Sequence, residues 1–266
     1  MSRCLVTGHK GYIGSKLFKE LQRQGHDVIG VDLNEEYPKN ILGLNGLKED
    51  NQGNFHPYFF NFKPEYIFHL ACFPRVPYSI KEPVATMYNF AKKVGSKRVI
   101  YSSSSSVVGN GDGPESPYAL QKLVSEMECK IYANLYGVDT VGLRYFNVYS
   151  KDQKADGAYA TAVANWMKHI REDKAPFITG DGTQRRDMLH VSDAVSANIF
   201  AMNYKADFGG QHFDVGTGAN ISLNEIKDIA NQYHPEVEFD YVSSREGDVM
   251  CTLADCEPLL ELGWQT

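Results

Sequence analysis

The chain has 266 residues, 42% of them hydrophobic, enough to bury a sizeable core in one or two domains. A formal net charge of −6 argues against a nucleic-acid-binding surface. The five cysteines form no CxxC pair, which points away from a metal site and toward reduced, core-filling thiols in a cytoplasmic protein.

The first residues lack the charged and apolar regions of a targeting segment, and no apolar run is long enough for a membrane span. Residues 3–6 form a short apolar run ending at Thr7-Gly8, the pattern of a buried parallel strand. Ile13, Leu17 and Leu21 predict a helix over 12–24, and 27–31 reads as a second strand that closes at Asp32. A strand–helix–strand unit of about thirty residues has the size of a mononucleotide-binding half. The pattern is weak over 34–62. It resumes with a strand at 66–70, a helix at 82–94, a strand at 98–102, a helix at 118–136 and a strand at 140–144. Pro117 suits the start of that last helix and Gly137 its end. This alternation predicts an α/β fold over 1–147, a Rossmann-type doubly wound parallel sheet with helices on both faces. Beyond Asn147 the rhythm loosens, with helices expected at 159–172, 192–202 and 223–233 and a strand at 238–242. No linker precedes them, so 148–266 is expected to be a smaller, mixed α/β substrate-binding lobe packed beside the sheet.

Gly8-His9-Lys10-Gly11-Tyr12-Ile13-Gly14 joins the first strand to the first helix. Glycines at 8, 11 and 14 permit a tight turn, a close approach of backbone to a pyrophosphate, and packing of helix on sheet. The helix start, at Tyr12 and Ile13, offers N–H groups and positive partial charge to phosphates. Asp32 stands where a ribose-binding acid belongs; such a carboxylate repels a 2′-phosphate and favours NAD over NADP. Alone, Asp32 would serve equally well as a cap.

Tyr118 and Lys122 lie four apart on one helix face. A tyrosine, with a pKa near 10, is a poor base at neutral pH, and a neighbouring ammonium favours its phenolate. Taken alone, such a pair is usually part of a solvated face. Its setting is more informative: a glycine loop, then the serine-rich segment 101–106, then Ser116-Pro117-Tyr118 and Lys122.

In this order the sequence resembles the extended short-chain dehydrogenase/reductase family, specifically its nucleotide-sugar epimerases. The segments that carry the resemblance are TGHKGYIG (7–14), FHLAC (68–72), YSSSSSVVG (101–109), SPYALQK (116–122), LRYFNVY (143–149), GDGTQRRD (180–187), REGDV (245–249) and LADCEPLLELGW (253–264). The resemblance implies that Tyr118 is the general base, that Lys122 lowers its pKa and binds the nicotinamide ribose, and that Ser104 bonds the sugar hydroxyl. It places Leu70, Ala71, Ser102 and Tyr145 along the NAD site. It places Asn147, Arg186 and Arg245 at the diphosphate, where guanidinium forks suit the ligand, and Asp248 at the nucleotide's ribose. Arg185 reads equally well as a surface ion pair.

The family's dehydratases carry an Asp-Glu pair directly after the catalytic hydroxyl residue, and its decarboxylases a glutamate at the second of those positions. Here Ser105 and Ser106 stand there, which favours C4 epimerisation through a transient 4-keto sugar, with NAD regenerated in place. Gly157-Ala158-Tyr159-Ala160, Trp166 and a small Thr252 resemble epimerases that accept UDP-N-acetylhexosamines, and Phe177 falls near the uracil position. Trp166 and Phe177 are read equally well as core residues. The resemblance also implies a nucleotide-sugar partner and allows a homodimer through the Tyr118 helix, while the net charge and the short apolar runs argue against nucleic acid and membrane. The sequence departs from the family by compression of 33–67, 84–98 and the loop after Ser104, and by Val108 in place of a tyrosine. A reductase with net NAD(P)H turnover and an idle nucleotide-binding relative are the other readings.

Overall fold

The strands of the main sheet sort their side chains by alternation. Cys4 and Val6 face one layer of helices and Leu5 the other; Phe68 and Ile67 divide in the same way, as do Ile100 and its neighbours Val99 and Tyr101. Burial on both faces is what the continuous apolar runs of the sequence require. In this computed structural model the described residues are 1–32, 56–71, 85–153, 155, 161–244 and 249–266.

The first half contains β1 (Arg3–Thr7), α1 (Tyr12–Arg23), β2 (Asp27–Val31), α2 (Pro57–Phe62), β3 (Tyr66–His69), α3 (Ala85–Val94), β4 (Arg98–Ser104), α4 (Pro117–Tyr136) and β5 (Thr140–Tyr145). A short 3₁₀ turn, Ser105–Val107, follows β4. The second half contains α5 (Ala162–Arg171), β6 (Phe177–Thr179), β7 (Arg185–Asp187), α6 (Val191–Asn203), β8 (Gln211–Val215), β9 (Asn220–Ser222), α7 (Leu223–Tyr233), β10 (Asp240–Val242) and α8 (Glu257–Glu261). Six strands form one parallel sheet in the order β2-β1-β3-β4-β5-β8. Buried residues of α1, α6 and α8 join the core on one face, and those of α2, α3 and α4 the core on the other. The doubly wound α/β sheet is thus present.

Two expectations need adjustment. β4 runs to Ser104 rather than Ser102, because the serines stay in the ladder, Ser103 opposite Arg144 and Ser104 opposite Tyr145. The stretch 148–266 is not laid out as one lobe, since β8 completes the main sheet and α6 packs on α1. A buried pair explains the return. Arg98 bonds Asp139 and donates to the carbonyls of Ala201, Tyr204 and Ala206 at 2.5–2.9 Å. Asp139 in turn accepts from the Phe208 and Gly209 N–H groups at 2.8 and 3.0 Å. The end of α6 and the turn into β8 are therefore fixed to the N-terminal edge of the sheet.

What lies apart from the sheet is smaller. β6 pairs with β10 and β7 with β9, while Trp166, Ile178 and Leu223 form a separate apolar cluster with Phe239 beside it.

Candidate active site

β1 connects to β2 on one side and lies beside β3 on the other, so the sheet order reverses at β1 and opens a crevice at the strand ends. Gly8 lines it at φ +73°; a Cβ there would sit 2.8 Å from the Ala71 nitrogen, against the loop after β3. A Cβ on Gly14 would sit 2.1 Å from the Gly8 carbonyl oxygen, so helix and loop meet only because neither residue has a side chain. Thr7 fastens the two loops: its Oγ1 accepts the Ala71 N–H at 3.2 Å and pairs with His69 Nδ1 at 2.8 Å. Burial and the Lys122 ammonium push His69 down to about 3, so the ring is neutral at physiological pH. Gly11 caps α1 without a side chain, which leaves the first helical N–H groups directed at the crevice. Asp32 accepts the Lys10 N–H at 3.0 Å. Tyr12 reaches away from the loop, its phenol donating to Ser150 Oγ at 2.6 Å, and burial raises its pKa. This cradle, closed to any Cβ and headed by a helix N-terminus with an acid across from it, fits the pyrophosphate and ribose of a dinucleotide.

The second cluster lies where β4 ends. Ser116 caps α4 by accepting the Ala119 N–H at 3.2 Å, Pro117 occupies its first turn, and Gly137 at φ +64° ends it. Tyr118 is half-buried, while Lys122, one turn on, is 4% exposed. The Lys122 ammonium donates to the Ser102 carbonyl at 2.5 Å and lies 5.8 Å from the Tyr118 ring centre. Ser104 accepts from the Ser106 N–H at 3.3 Å and from the Ser106 hydroxyl at 3.0 Å, which orders the turn beside it. Tyr145 is buried, its phenol accepting from Asn198 at 2.7 Å, and burial drives its pKa well upward.

A third group joins β5 to the small sheets. Asn147, at φ +29°, donates both amide hydrogens, to the Asp187 carbonyl at 2.7 Å and to Thr252 Oγ1 at 2.9 Å. A diphosphate contact from that side chain therefore requires one of these bonds to be released. Arg186 lies on β7 beside them and donates to the Arg185 carbonyl at 3.0 Å. Arg185 is taken up by Asn220 and by an ion pair with Glu225 at 2.8 Å, the structural role the sequence allowed. Trp166 is 3% exposed, with its indole N–H on the Phe177 carbonyl at 2.7 Å and its ring edge-on to Phe239. The expected substrate contact at Trp166 is thereby corrected to a core position, because its ring is enclosed and its one donor is used. Phe177 is half-buried beside His169. Arg245, Asp248 and 157–160 lie outside the described residues, as do 33–55.

The model of the NAD dependent epimerase/dehydratase family matches residues 4–216. The chain belongs to this family. The UDP-glucose 4-epimerase of Mycolicibacterium smegmatis is 32% identical over 99% of this chain and 93% of its own length. A UDP-N-acetylglucosamine 4-epimerase from Methanobrevibacter ruminantium, solved with UDP-N-acetylmuramic acid, superposes with a TM-score of 0.81 at 27% identity, covering 99% and 92% of the two chains. MoeE5, solved with UDP-glucuronic acid and NAD, superposes with a TM-score of 0.83 at 30% identity, covering 99% and 93%.

Membership of the epimerase/dehydratase family makes the cofactor NAD, in keeping with the cradle. Sequence reasoning missed two buried acids that the structure places beside the predicted site residues. Asp187 is fully buried; its carboxylate accepts from Thr217 N–H and Oγ1, Gly218 N–H and Ala254 N–H at 2.8–3.1 Å, tying three chain segments around Asn147. Its signal was an acid ending the GDGTQRRD segment. Glu126 is the other, one turn beyond Lys122 on the same face of α4, where continuing the four-residue spacing would have found it. Among the described residues no cluster of three metal-binding side chains occurs, and no helix is long and apolar enough to cross a membrane.

Proposed function

We propose that the chain catalyses C4 epimerisation of a nucleotide-sugar, a UDP-hexose or a UDP-N-acetylhexosamine, with NAD retained. One observation carries this reading: Lys122 bridges from the Tyr118 ring to the strand bearing Ser104, while Ser105 and Ser106 occupy the positions where dehydration or decarboxylation needs a carboxylate.

Tyr118, as phenolate, accepts the proton of the sugar's 4-hydroxyl. The Lys122 ammonium stabilises that phenolate, an effect strengthened by its burial. Ser104 bonds the same hydroxyl and guides the proton. Bound NAD supplies the acceptor for the C4 hydride and returns it. Leu70, Ala71 and Ser102 flank the cofactor beside Gly8, Gly11 and Gly14; Tyr145 supports that wall from within, and Asp32 meets the adenosine ribose. Arg186 and Arg245 hold the diphosphate, Asp248 the nucleotide's ribose and Phe177 the base, while the sugar is free to turn. Thr252, small and fastened by Asn147, leaves room for an N-acetyl group.

A second copy of the chain is proposed to pack on α4. Leu120, Val124, Met127, Ile131 and Leu135 form an apolar stripe along it, each between 45% and 70% exposed. Cytoplasmic residence completes the reading, supported by free thiols at Cys4, Cys129, Cys251 and Cys256.

The test is incubation of purified protein with UDP-GlcNAc and, separately, UDP-glucose, following C4 epimers by NMR without added NAD. Epimer formation that is lost in Tyr118→Phe supports the proposal. Accumulation of NADH with net oxidation of the sugar, or no conversion even with NAD supplied, overturns it.

A further inference from the structure

The Tyr118–Lys122 pair raises a question of charge. Glu126 lies one turn beyond Lys122 on α4, and both are 4% exposed. A lysine and a glutamate four apart on a helix ordinarily attract one another, and the attraction grows as water is excluded. Such a pairing would draw the ammonium down the helix, away from Tyr118.

The structure shows the glutamate already taken. Arg144 grips it with two bonds, Nε to Oε1 and Nη2 to Oε2, each 2.8 Å, in a fork-to-fork arrangement. Ser103 donates its hydroxyl to Oε1 at 2.5 Å. Ser103, Arg144 and Asp214 stand opposite one another on β4, β5 and β8, a single row across three strands. Asp214 lies 3.5 Å from Arg144 Nη1 and holds the guanidinium from the far side. Burial works against the charge on Arg144, but Glu126 and Asp214 outweigh it, so the guanidinium stays charged. His212 Nδ1 lies 3.8 Å from Glu126 Oε2; burial and Arg144 lower its pKa, which keeps it from competing as a cation. Lys122 is left to the Ser102 carbonyl, two residues before Ser104.

We propose that Arg144 is a positioning residue for catalysis: by occupying Glu126 it keeps the Lys122 ammonium on the serine strand and beside the Tyr118 phenol. The proposal rests on the reading of Tyr118 and Lys122 as the proton-transfer pair. It explains a buried ion pair that the fold alone does not demand, since apolar residues of similar volume commonly stabilise a core as well or better.

The decisive variant is Arg144→Met, which keeps bulk and removes the fork. Its kcat is expected to fall about 30-fold with KM for the nucleotide-sugar within about threefold, and the acid limb of its kcat–pH profile, set by deprotonation of Tyr118, to move upward. Adding Glu126→Gln in the same chain removes the competitor and is expected to recover most of that kcat and return the limb. A purely structural pair would lose and regain stability across the same two variants without moving the limb, so an acid limb that stays in place in Arg144→Met overturns the proposal. A crystal structure of Arg144→Met reads the ammonium directly, whether or not the chain turns over a sugar. Lys122 Nζ on Glu126 supports the idea, and Nζ still on the Ser102 carbonyl sinks it. Should the methionine variant fail to fold, Arg144→Lys keeps the charge without the fork. It is expected to show a smaller loss in the same direction, and an unchanged kcat and pH limb in that variant overturns the proposal. Absence of C4 exchange in the wild-type chain counts against the proposed function alone, because the crystallographic readout stands without it.

Discussion

The cofactor crevice and the Asn147–Thr252 region are built by different means. The crevice is made of backbone: Gly8 and Gly14 touch neighbouring main chain where a Cβ would lie 2.8 and 2.1 Å from it, and the contacts join residues close in sequence or on adjacent strands. The region proposed for the substrate is made of side chains that bridge long distances along the chain, with Asn147 bonded to Thr252 and Asp187 to Thr217 and Ala254. A site written in backbone tolerates variation in most side chains but not the addition of a methyl group. A site written in side-chain bonds can be retuned, yet depends on a few buried hubs. Cofactor identity should therefore be hard to change by mutation on the substrate side, and sugar preference easy.

Five measurements can break or sharpen that contrast. The largest effect is expected for Tyr118→Phe, which removes the proton acceptor without disturbing either region. Its kcat should fall about 10³-fold with bound NAD unchanged, as measured by turnover and by cofactor content after denaturation. Asp187→Ala comes next. It leaves four donors without their buried partner at a cost of about 3–5 kcal/mol. In thermal melts and titrations, KM for the sugar nucleotide should rise more than the Kd for NAD; equal losses on both would show that the regions are not separate. Gly14→Ala tests the other side. Overpacking against the Gly8 carbonyl should cost about 1–3 kcal/mol and empty the cofactor site first, read as purified protein lacking NAD.

Leu120→Glu, with Met127→Glu, should convert a dimer to a monomer in sedimentation while leaving NAD content in place; a wild-type monomer removes the second copy from the proposal.

The smallest effect is a pH slope. Burial is the leading cause that holds His9, His26, His69 and His212 below the ordinary histidine value. Their stabilising contribution is complete above the unfolded pKa near 6.5 and is lost as pH falls below it, because the unfolded chain binds protons the folded one refuses. The Tm should drop between pH 7 and 5, with a shallower slope in His69→Gln; an unchanged slope would remove His69 from the explanation.

The same division explains what the sequence disclosed. The strands and the glycine loop follow from local pattern, and α1, β2, α4 and β5 lie within two residues of their predicted bounds. Tyr118 and Lys122 were singled out by their order after the glycine loop and the serine segment, since helical spacing alone is common, and the ammonium lies 5.8 Å from the Tyr118 ring centre. Trp166 was left open between substrate contact and core because an aromatic in a helix looks the same from sequence whether it faces a ligand or Phe239. Asp187 and Arg144 escaped notice because their partners lie on other strands or far along the chain, where periodicity carries no signal. The return of β8 to the sheet was hidden for the same reason, since it depends on Arg98 and Asp139 meeting a turn 69 to 108 residues further on.

Asp32 has a second duty that matters to anyone redesigning this enzyme. Proposed to meet the adenosine ribose, it also accepts the Lys10 N–H and so braces the glycine turn. Replacing it with a neutral or basic residue to admit a phosphorylated cofactor would loosen the loop that must receive the pyrophosphate. Selectivity and affinity are thus coupled through one carboxylate, and a successful swap would need a compensating change at position 9 or 10 to brace the turn by other means.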